Sequence, residues 1–302
     1  MNKQVGRSGA IFAGLLLPIL GSLLLTEPAF APTKEIRILG ANITEQQQMA
    51  NLISYDLSPA EANGVEAASY LVEDYSNKQI LTGKHIDNSL PIASLTKLMT
   101  VWTVLEHAET TEIVTISDTD LIQVSPSLGL IPGDQVLVKD LLEAVLIGSA
   151  NDASNVLGGY ISRKVELPFG ELMNQEAVEL GMKNSRFSNP IGFDSVVNYS
   201  SARDLAILVH RLDERGLFAQ SAKATKYEFT SKLGNQYSII ATNKLTNLYP
   251  DLQAVKTGYT NLALGAMINF LETPKGKLLL IVIGSPDREN DTLRLRKQYL
   301  ER

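Results

Sequence analysis

Alternating and helical patterns of apolar residues divide the chain into successive parts. Two β-favouring runs, at 67–73 and 79–81, are joined by turn-forming residues and predict a hairpin. Runs with apolar residues at helical spacing follow, then short strand-like runs, and a charged amphipathic helix over 291–302 ends the chain. The patterns predict helices at 96–107, 139–147, 153–161, 171–180 and 202–212, and strands at 226–231, 236–241, 254–260, 265–271 and 277–283.

The order of these elements indicates the fold class. A strand pair comes first, helices follow, and an antiparallel meander of strands precedes the closing helix. A sheet buries its apolar faces against other elements, and terminal helices can cover it. We therefore expect an α+β protein, in which one antiparallel β-sheet is covered by helices on both faces. An all-helical subdomain is expected to be inserted between its first and later strands.

Residues 1–31 have the features of an export leader. Lys3 and Arg7 precede an apolar stretch at 11–25, and residues 29–31 read Ala-Phe-Ala, which resembles a cleavage site. The stretch is shorter than a usual membrane-spanning helix and contains a proline, which favours a signal peptide.

Removal of the leader is left open by the residue that follows it. Pro32 would come directly after the cut, where proline is poorly accepted, so an uncleaved N-terminal membrane anchor stays an alternative. Either way, we expect the protein to be exported and to touch a membrane only through its N-terminus. Residues 32–63 are interpreted as a polar tether, and residues 64–302 as the catalytic domain.

Composition excludes several classes of function. The 302 residues carry a formal net charge of -6 and no lysine- or arginine-rich run, which argues against a nucleic-acid partner. Cysteine is absent, so disulfides, thiolate metal sites and cysteine nucleophiles are excluded. The three histidines are scattered and form no metal-binding pair. We expect no metal and no cofactor.

Three short motifs carry the candidate chemistry. They are Ser94-Leu95-Thr96-Lys97, Ser149-Ala150-Asn151 and Lys256-Thr257-Gly258. Each also has a purely structural interpretation, as a helix cap with a surface lysine, a loop between helices, and a strand that ends in a turn. Their joint occurrence, in this order and in these structural settings, favours catalysis.

The first motif predicts an activated nucleophile. Ser94 is expected in the first turn of a helix, with Lys97 three residues later on the same face. A serine hydroxyl needs an adjacent base, and a lysine can serve when burial or a second cation lowers its pKa. The start of the helix adds backbone N–H groups beside the reacting centre.

The other two motifs predict groups that complete a cleft. A loop between two helices can aim the Ser149 hydroxyl at a leaving amine and the Asn151 amide at a substrate. The third motif lies on a predicted strand, along which a bound peptide can pair, and Gly258 permits close approach. Lys256 and Thr257 would then face a terminal carboxylate.

From residue 67 onwards the chain resembles a known family. Residues 91–100, 140–153 and 173–194 are similar to segments of the D-alanyl-D-alanine carboxypeptidase family of low-molecular-mass penicillin-binding proteins. The resemblance implies a β-lactamase/transpeptidase-like fold, peptidoglycan stem peptides ending in D-Ala-D-Ala as substrates, and β-lactams as covalent inhibitors. It implies that Ser94 is acylated and that Lys97 deprotonates it. Ser149 and Asn151 would complete the proton relay and the substrate contacts, and Lys256 and Thr257 would bind the carboxylate. The backbone N–H groups of Ser94 and Tyr259 would form the oxyanion hole.

Two departures from the family pattern stand out. Residues 261–265 read Asn-Leu-Ala-Leu-Gly where an Ala-Gly pair is usual, so the next strand is expected to begin differently. The sequence ends at Arg302, and on this reading it has no β-rich C-terminal domain of the kind found in many members.

Other activities of such a site stay open. DD-endopeptidase cleavage of peptidoglycan cross-links would use the same residues. A serine β-lactamase is disfavoured because the class A pattern E-x-x-L-N is missing; Glu171-Leu172-Met173-Asn174 has the wrong spacing. A non-catalytic wall-binding homologue is disfavoured because all the expected polar groups are present.

Overall fold

The computed structural model describes the backbone of residues 36–38 and 41–43, and residues 64–301. The predicted leader, residues 1–31, lies outside the described residues, as does most of the predicted tether, residues 32–63. The strands are β1 (Ile36–Ile38), β2 (Ala41–Ile43), β3 (Ser69–Asp74), β4 (Gln79–Lys84), β5 (Ile113–Thr115), β6 (Gln135–Leu137), β7 (Lys226–Thr230), β8 (Gln236–Ile240), β9 (Leu252–Thr260), β10 (Leu264–Thr273) and β11 (Gly276–Ser285). The helices are α1 (Thr96–His107), α2 (Val138–Gly148), α3 (Asn151–Val165), α4 (Phe169–Glu179), α5 (Ala202–Glu214), α6 (Phe218–Ser221), α7 (Leu245–Leu248) and α8 (Arg288–Leu300).

Five strands form the central sheet, in the order β4-β3-β11-β10-β9, and every neighbouring pair is antiparallel. The long hairpin of β10 and β11 turns tightly at Gly276, whose φ of 129° suits glycine. Strand β9 lies at one edge of the sheet and pairs on one side only, with β10. The backbone of this edge is therefore open to contacts from the inserted part of the chain.

Both faces of the sheet are covered, which confirms the predicted α+β class. On one face, Leu295 of α8 packs in an apolar cluster with Val72 and Leu280. On the other face, Ile268, Phe270 and other strand residues pack in a larger cluster that contains the residues of α1 and α5. Since successive residues of a strand point to opposite faces, each long strand supplies both clusters. The two cores fix the sheet between its helical layers.

The insertion between β4 and β9 holds helices α1 to α7, as expected, but it also contains strands. β5 pairs only with β6 and β7 only with β8, each as a separate two-stranded sheet. The prediction that residues 226–231 and 236–241 form strands is therefore confirmed. The prediction that these two strands belong to the central sheet is wrong. β8 packs instead against the end of α2, where a Cβ on Gly148 would overlap the side chain of Ile239.

Helix α1 runs through the interior and is buried from Thr96 to Val104. Apolar residues on several sides of this helix contact both the sheet and the other helices. Two of its buried threonines donate their hydroxyl hydrogens to backbone carbonyls: Thr100 Oγ1 donates to Pro190 O and Thr103 Oγ1 to Met99 O. Within residues 64–301, no helix is long and apolar enough to cross a membrane.

The aromatic contacts of Phe270 generate a stability prediction. This side chain is fully buried, and its ring lies edge-on to Tyr75 and to Phe218 at centroid distances of 4.9 and 5.8 Å. Phe270→Ala should lower the free energy of unfolding by about 3–5 kcal/mol, since it removes apolar contacts and leaves a cavity. Urea unfolding measures this, with Val178→Ala as control, because Val178 is 78% exposed. Equal effects of the two substitutions would contradict the assigned core.

Candidate active site

Ser94 lies in a short 3-10 turn, Ala93–Leu95, that leads directly into α1. The sequence predicted the first helical turn, and the difference arises because Ala93 has a φ of 47°, which breaks the regular helix. A positive φ at a non-glycine residue costs free energy, and such strain often occurs at functional sites. Lys97 lies one turn further on, in the first turn of α1, and is fully buried.

The Lys97 amine lies among three oxygens. Its Nζ is 3.0 Å from Ser94 Oγ, 2.8 Å from Asn151 Oδ1 and 2.5 Å from Ile191 O. The last two are carbonyl oxygens and only accept hydrogen bonds, so each takes one N–H of the amine. A neutral amine has two N–H bonds and one lone pair. With both hydrogens committed to the carbonyls, the lone pair is left for the Ser94 hydroxyl.

Three physical effects disfavour a proton on Lys97. Burial, and then the nearby charge of Lys256, hold the pKa of Lys97 well below the usual lysine value. The position of Lys97 in the first turn of α1 adds the positive end of a helix dipole. Burial and the charge of Arg288 in turn lower the pKa of Lys256 to about 7. The site thus contains a lysine pair in which the charge of Lys256 opposes protonation of Lys97.

The orientation of the Asn151 amide is fixed by a neighbouring loop. Its Nδ2 donates to Val124 O at 3.1 Å and to Ser125 O at 3.0 Å, which leaves Oδ1 for Lys97. The loop is held in turn by the buried carboxylate of Asp152, which accepts hydrogen bonds from Leu128 N, Gly129 N and Leu130 N. An adjacent pair of residues, Asn151 and Asp152, thereby positions both the amide and the loop.

Ser149 lies between α2 and α3, in the predicted loop between two helices. Its φ of 59° is left-handed and ends α2, while its side chain is almost fully buried. Within residues 64–301, no hydrogen bond joins its hydroxyl to Lys97 or to Lys256. The structure therefore places Ser149 at the end of the helix that precedes Asn151 but does not link it directly to the lysines.

Two glycines let backbone segments approach Ser94 from both sides. On β9, a Cβ on Gly258 would lie 2.9 Å from Ser94 N, closer than real Cβ contacts occur. On the other side, a Cβ on Gly192 would overlap the carbonyl of Ala93, and the φ of Gly192 is 92°. Both positions need glycine for space, and Gly192 also needs it for its backbone conformation. Gly258 therefore brings the end of β9 next to the backbone of the nucleophile.

The other residues of the third motif also lie on β9, with different exposure. Lys256 and Thr257 are buried, whereas the side chain of Tyr259 is 62% exposed at the rim. Beyond Thr260 the chain turns back into β10 with Leu264 at a φ of 55°, and the Thr260 hydroxyl accepts from Ala263 N. The atypical sequence 261–265 forms this turn, and Leu264 still pairs with Thr260.

Three further groups belong to the site and were given no role from the sequence. The Ile191 carbonyl contacts Lys97, Arg288 Nη1 donates to Gly258 O at 2.5 Å, and Thr242 Oγ1 lies 2.7 Å from Thr257 Oγ1. The similarity of residues 173–194 to the family pointed to the Ile191 segment without indicating a carbonyl. Arg288 and Thr242 have no motif that distinguishes them from surface residues.

Comparison with known proteins extends these observations. The family model described as D-alanyl-D-alanine carboxypeptidase matches residues 57–287. The D-alanyl-D-alanine carboxypeptidase DacF of Bacillus subtilis is 29% identical over 225 residues, which cover 73% of this chain and 58% of that protein. The chain spans about half the length of the curated relatives it matches.

Solved structures agree on the fold. Penicillin-binding protein D2 of Listeria monocytogenes, in its ampicillin-bound form, is 28% identical with a TM-score of 0.64, covering 77% of this chain and 97% of that one. A D-alanyl-D-alanine carboxypeptidase of Mycobacterium tuberculosis is 24% identical with a TM-score of 0.69, and the match covers 76% of this chain and 89% of that one. The predicted fold and family are therefore confirmed, and the chain belongs to the D-alanyl-D-alanine carboxypeptidase family.

Proposed function

We propose that this protein is a serine-type D-alanyl-D-alanine carboxypeptidase that forms an acyl-enzyme on Ser94. The observation that carries the proposal is the placement of the Lys97 amine. When neutral, it donates its two hydrogens to carbonyl oxygens, and its nitrogen lies 3.0 Å from Ser94 Oγ. A buried amine of lowered pKa beside a hydroxyl can act as a general base at neutral pH.

The acylation step follows from this geometry. Ser94 Oγ attacks the carbonyl carbon of the penultimate D-alanine, and its proton passes to Lys97 Nζ. The oxygen of that carbonyl becomes an oxyanion, which the backbone N–H groups of Ser94 and Tyr259 stabilise. The close approach of Gly258 to Ser94 N supports this pairing of donors.

Collapse of the tetrahedral intermediate breaks the peptide bond and releases the terminal D-alanine. Its nitrogen needs a proton, which Lys97 returns by way of the Ser149 hydroxyl. The position of Ser149, buried at the end of α2 and two residues before Asn151, whose Oδ1 accepts from Lys97, supports this role. Water then attacks the ester with Lys97 again as base, which frees Ser94 and completes the hydrolysis.

Recognition of the substrate is assigned to the edge of the sheet. The stem peptide pairs along β9, and its terminal carboxylate binds the Lys256 ammonium and the Thr257 hydroxyl. The second lone pair of Asn151 Oδ1 accepts a hydrogen bond from a backbone N–H of the bound stem. These groups are buried, and a hydrogen bond to a ligand carboxylate is stronger there than it would be in water.

The proposed substrate also sets the location of the activity. Peptidoglycan lies outside the cytoplasmic membrane, so the enzyme acts as an exported protein, in the periplasm or at the outer face of the membrane. Residues 1–31 would supply the export signal, either cleaved or retained as an anchor. β-Lactams would mimic the D-Ala-D-Ala end of the stem and acylate Ser94.

Identification of the acylated residue tests the proposal. After exposure to benzylpenicillin, peptide mass spectrometry should find one covalent adduct, on the peptide that contains Ser94, and Ser94→Ala should form none. Ser76→Ala, in the exposed turn between β3 and β4, should label like the wild type.

An adduct on another residue, or equal labelling of Ser94→Ala, would refute the nucleophile assignment. Rapid loss of the label would indicate a β-lactamase. Product analysis separates the remaining activities: release of D-alanine from an uncross-linked pentapeptide supports carboxypeptidase activity, and cleavage of cross-linked dimers supports endopeptidase activity.

The lysine pair predicts a pH dependence. Lys97 must be neutral to accept the Ser94 proton, so the acylation rate should rise as pH increases through the pKa of Lys97. The Lys256 charge lowers that pKa, and its removal in Lys256→Gln should therefore raise it. The rising limb of the pH–rate profile should move to higher pH, even though the rate itself falls with the loss of a carboxylate ligand.

Penicillin acylation rates across the pH range measure this limb. Lys78→Gln is the control, because this lysine on the β3–β4 turn is exposed and pairs with Glu214 at the surface. A limb that stays in place in Lys256→Gln, or moves to lower pH, would contradict the repulsion between the two lysines.

A further inference from the structure

A second threonine lies behind the third motif. Thr242 follows strand β8 and places its Oγ1 2.7 Å from the Oγ1 of Thr257. Its backbone N–H donates to Ile147 O at 3.1 Å, in the last turn of α2 and two residues before Ser149. Thr242 therefore links the Ser149 segment to strand β9 at the back of the cleft.

The surroundings leave the two hydroxyls to each other. The side chain of the neighbouring Asn243 has other partners, since its Nδ2 donates to Asn269 Oδ1 and its Oδ1 accepts from Leu245 N. Thr242 and Thr257 also line a narrow, partly open pocket of about 10 Å³, which has room for one water at most.

The direction of the hydrogen bond between the hydroxyls has a chemical consequence. Each hydroxyl carries a single hydrogen, and either oxygen in this pair is able to donate. When Thr257 donates to Thr242, its hydrogen is used within the protein. When Thr242 donates to Thr257, the Thr257 hydrogen is free for an acceptor in the cleft and is further polarised by the bond it receives.

A carboxylate is an acceptor without a hydrogen of its own, so it selects the second arrangement. We infer that Thr242 is a positioning residue, whose hydroxyl turns the Thr257 hydroxyl toward the carboxylate of a bound ligand and so contributes to the preference for a free acid. The inference rests on the proposed function, in which Thr257 binds that carboxylate. Thr242 itself does not touch the ligand.

Two ligands that differ only at the carboxylate isolate this effect. Benzylpenicillin carries a free acid, and its methyl ester lacks the negative charge. Second-order acylation rates with each, followed by mass spectrometry, give the preference for the acid as a ratio. Thr242→Val keeps the shape of the side chain and fills the space, whereas alanine would enlarge the cavity and admit water in place of the hydroxyl.

The expected result is a selective loss. Thr242→Val should reduce acylation by the free acid about five-fold, the effect of one hydrogen bond, and should leave acylation by the ester nearly unchanged. Thr242→Ser, which retains a hydroxyl, should preserve the wild-type ratio. Thr225→Val makes the same exchange at an exposed residue whose carbonyl accepts from Ala241 N, and it should change neither rate.

The alternative outcomes are distinct. An equal loss for both ligands in Thr242→Val would assign the residue a purely structural role and overturn the inference, and so would wild-type rates with both ligands. In both cases wild-type acylation of Ser94 would still stand. Failure of the wild type to form any adduct would overturn the proposed function itself, and the inference with it.

Discussion

The burial of one amine organises the site. Lys97 lies in the first turn of a helix with no exposed surface, where water cannot solvate an ammonium ion. The protein supplies two carbonyl acceptors and a serine hydroxyl, which satisfy a neutral amine without neutralising a charge. Within residues 64–301 no carboxylate is paired with this lysine, so the surroundings stabilise the free base. The reactivity proposed for Ser94 depends on this choice of partners.

The fold can be understood as the means of holding those partners in place. α1 packs against both the sheet and the other helices of the insertion, which fixes the lysine and the 3-10 turn that carries the serine. The Asp152 carboxylate holds the loop that orients the Asn151 amide. Gly192 and Gly258 allow two backbone segments to reach the nucleophile, one bringing the Ile191 carbonyl and the other the end of β9. Strained backbone at Ala93 and Ser149 is tolerated because the surrounding cores determine the path of the chain.

The pattern of side chains along the sequence predicted much of this arrangement. The rest depends on backbone groups and on which strands pair with each other. Periodicity located the longer helices and the strands of the central sheet, and the motifs selected Ser94, Lys97, Asn151 and Gly258, which the fold brings together. Periodicity does not specify strand partners, which is why β7 and β8 were assigned to the wrong sheet. The sequence cannot single out the Ile191 carbonyl, because every residue has a backbone carbonyl. Thr242 and Arg288 are distinguished from other residues only by their contacts with β9. The roles of the individual site residues and the domain boundaries stay predictions.

Titration of Lys97 by NMR tests the central claim most directly. The protein is labelled with ¹³C at lysine Cε, and the Lys97 signal is assigned by its loss in Lys97→Met. We expect this signal to change at a pH well below 10.5, the ordinary pKa of lysine, because burial and the Lys256 charge oppose protonation. A Lys97 amine that titrates near 10.5 would be charged at neutral pH and unable to accept the Ser94 proton, which would contradict the account.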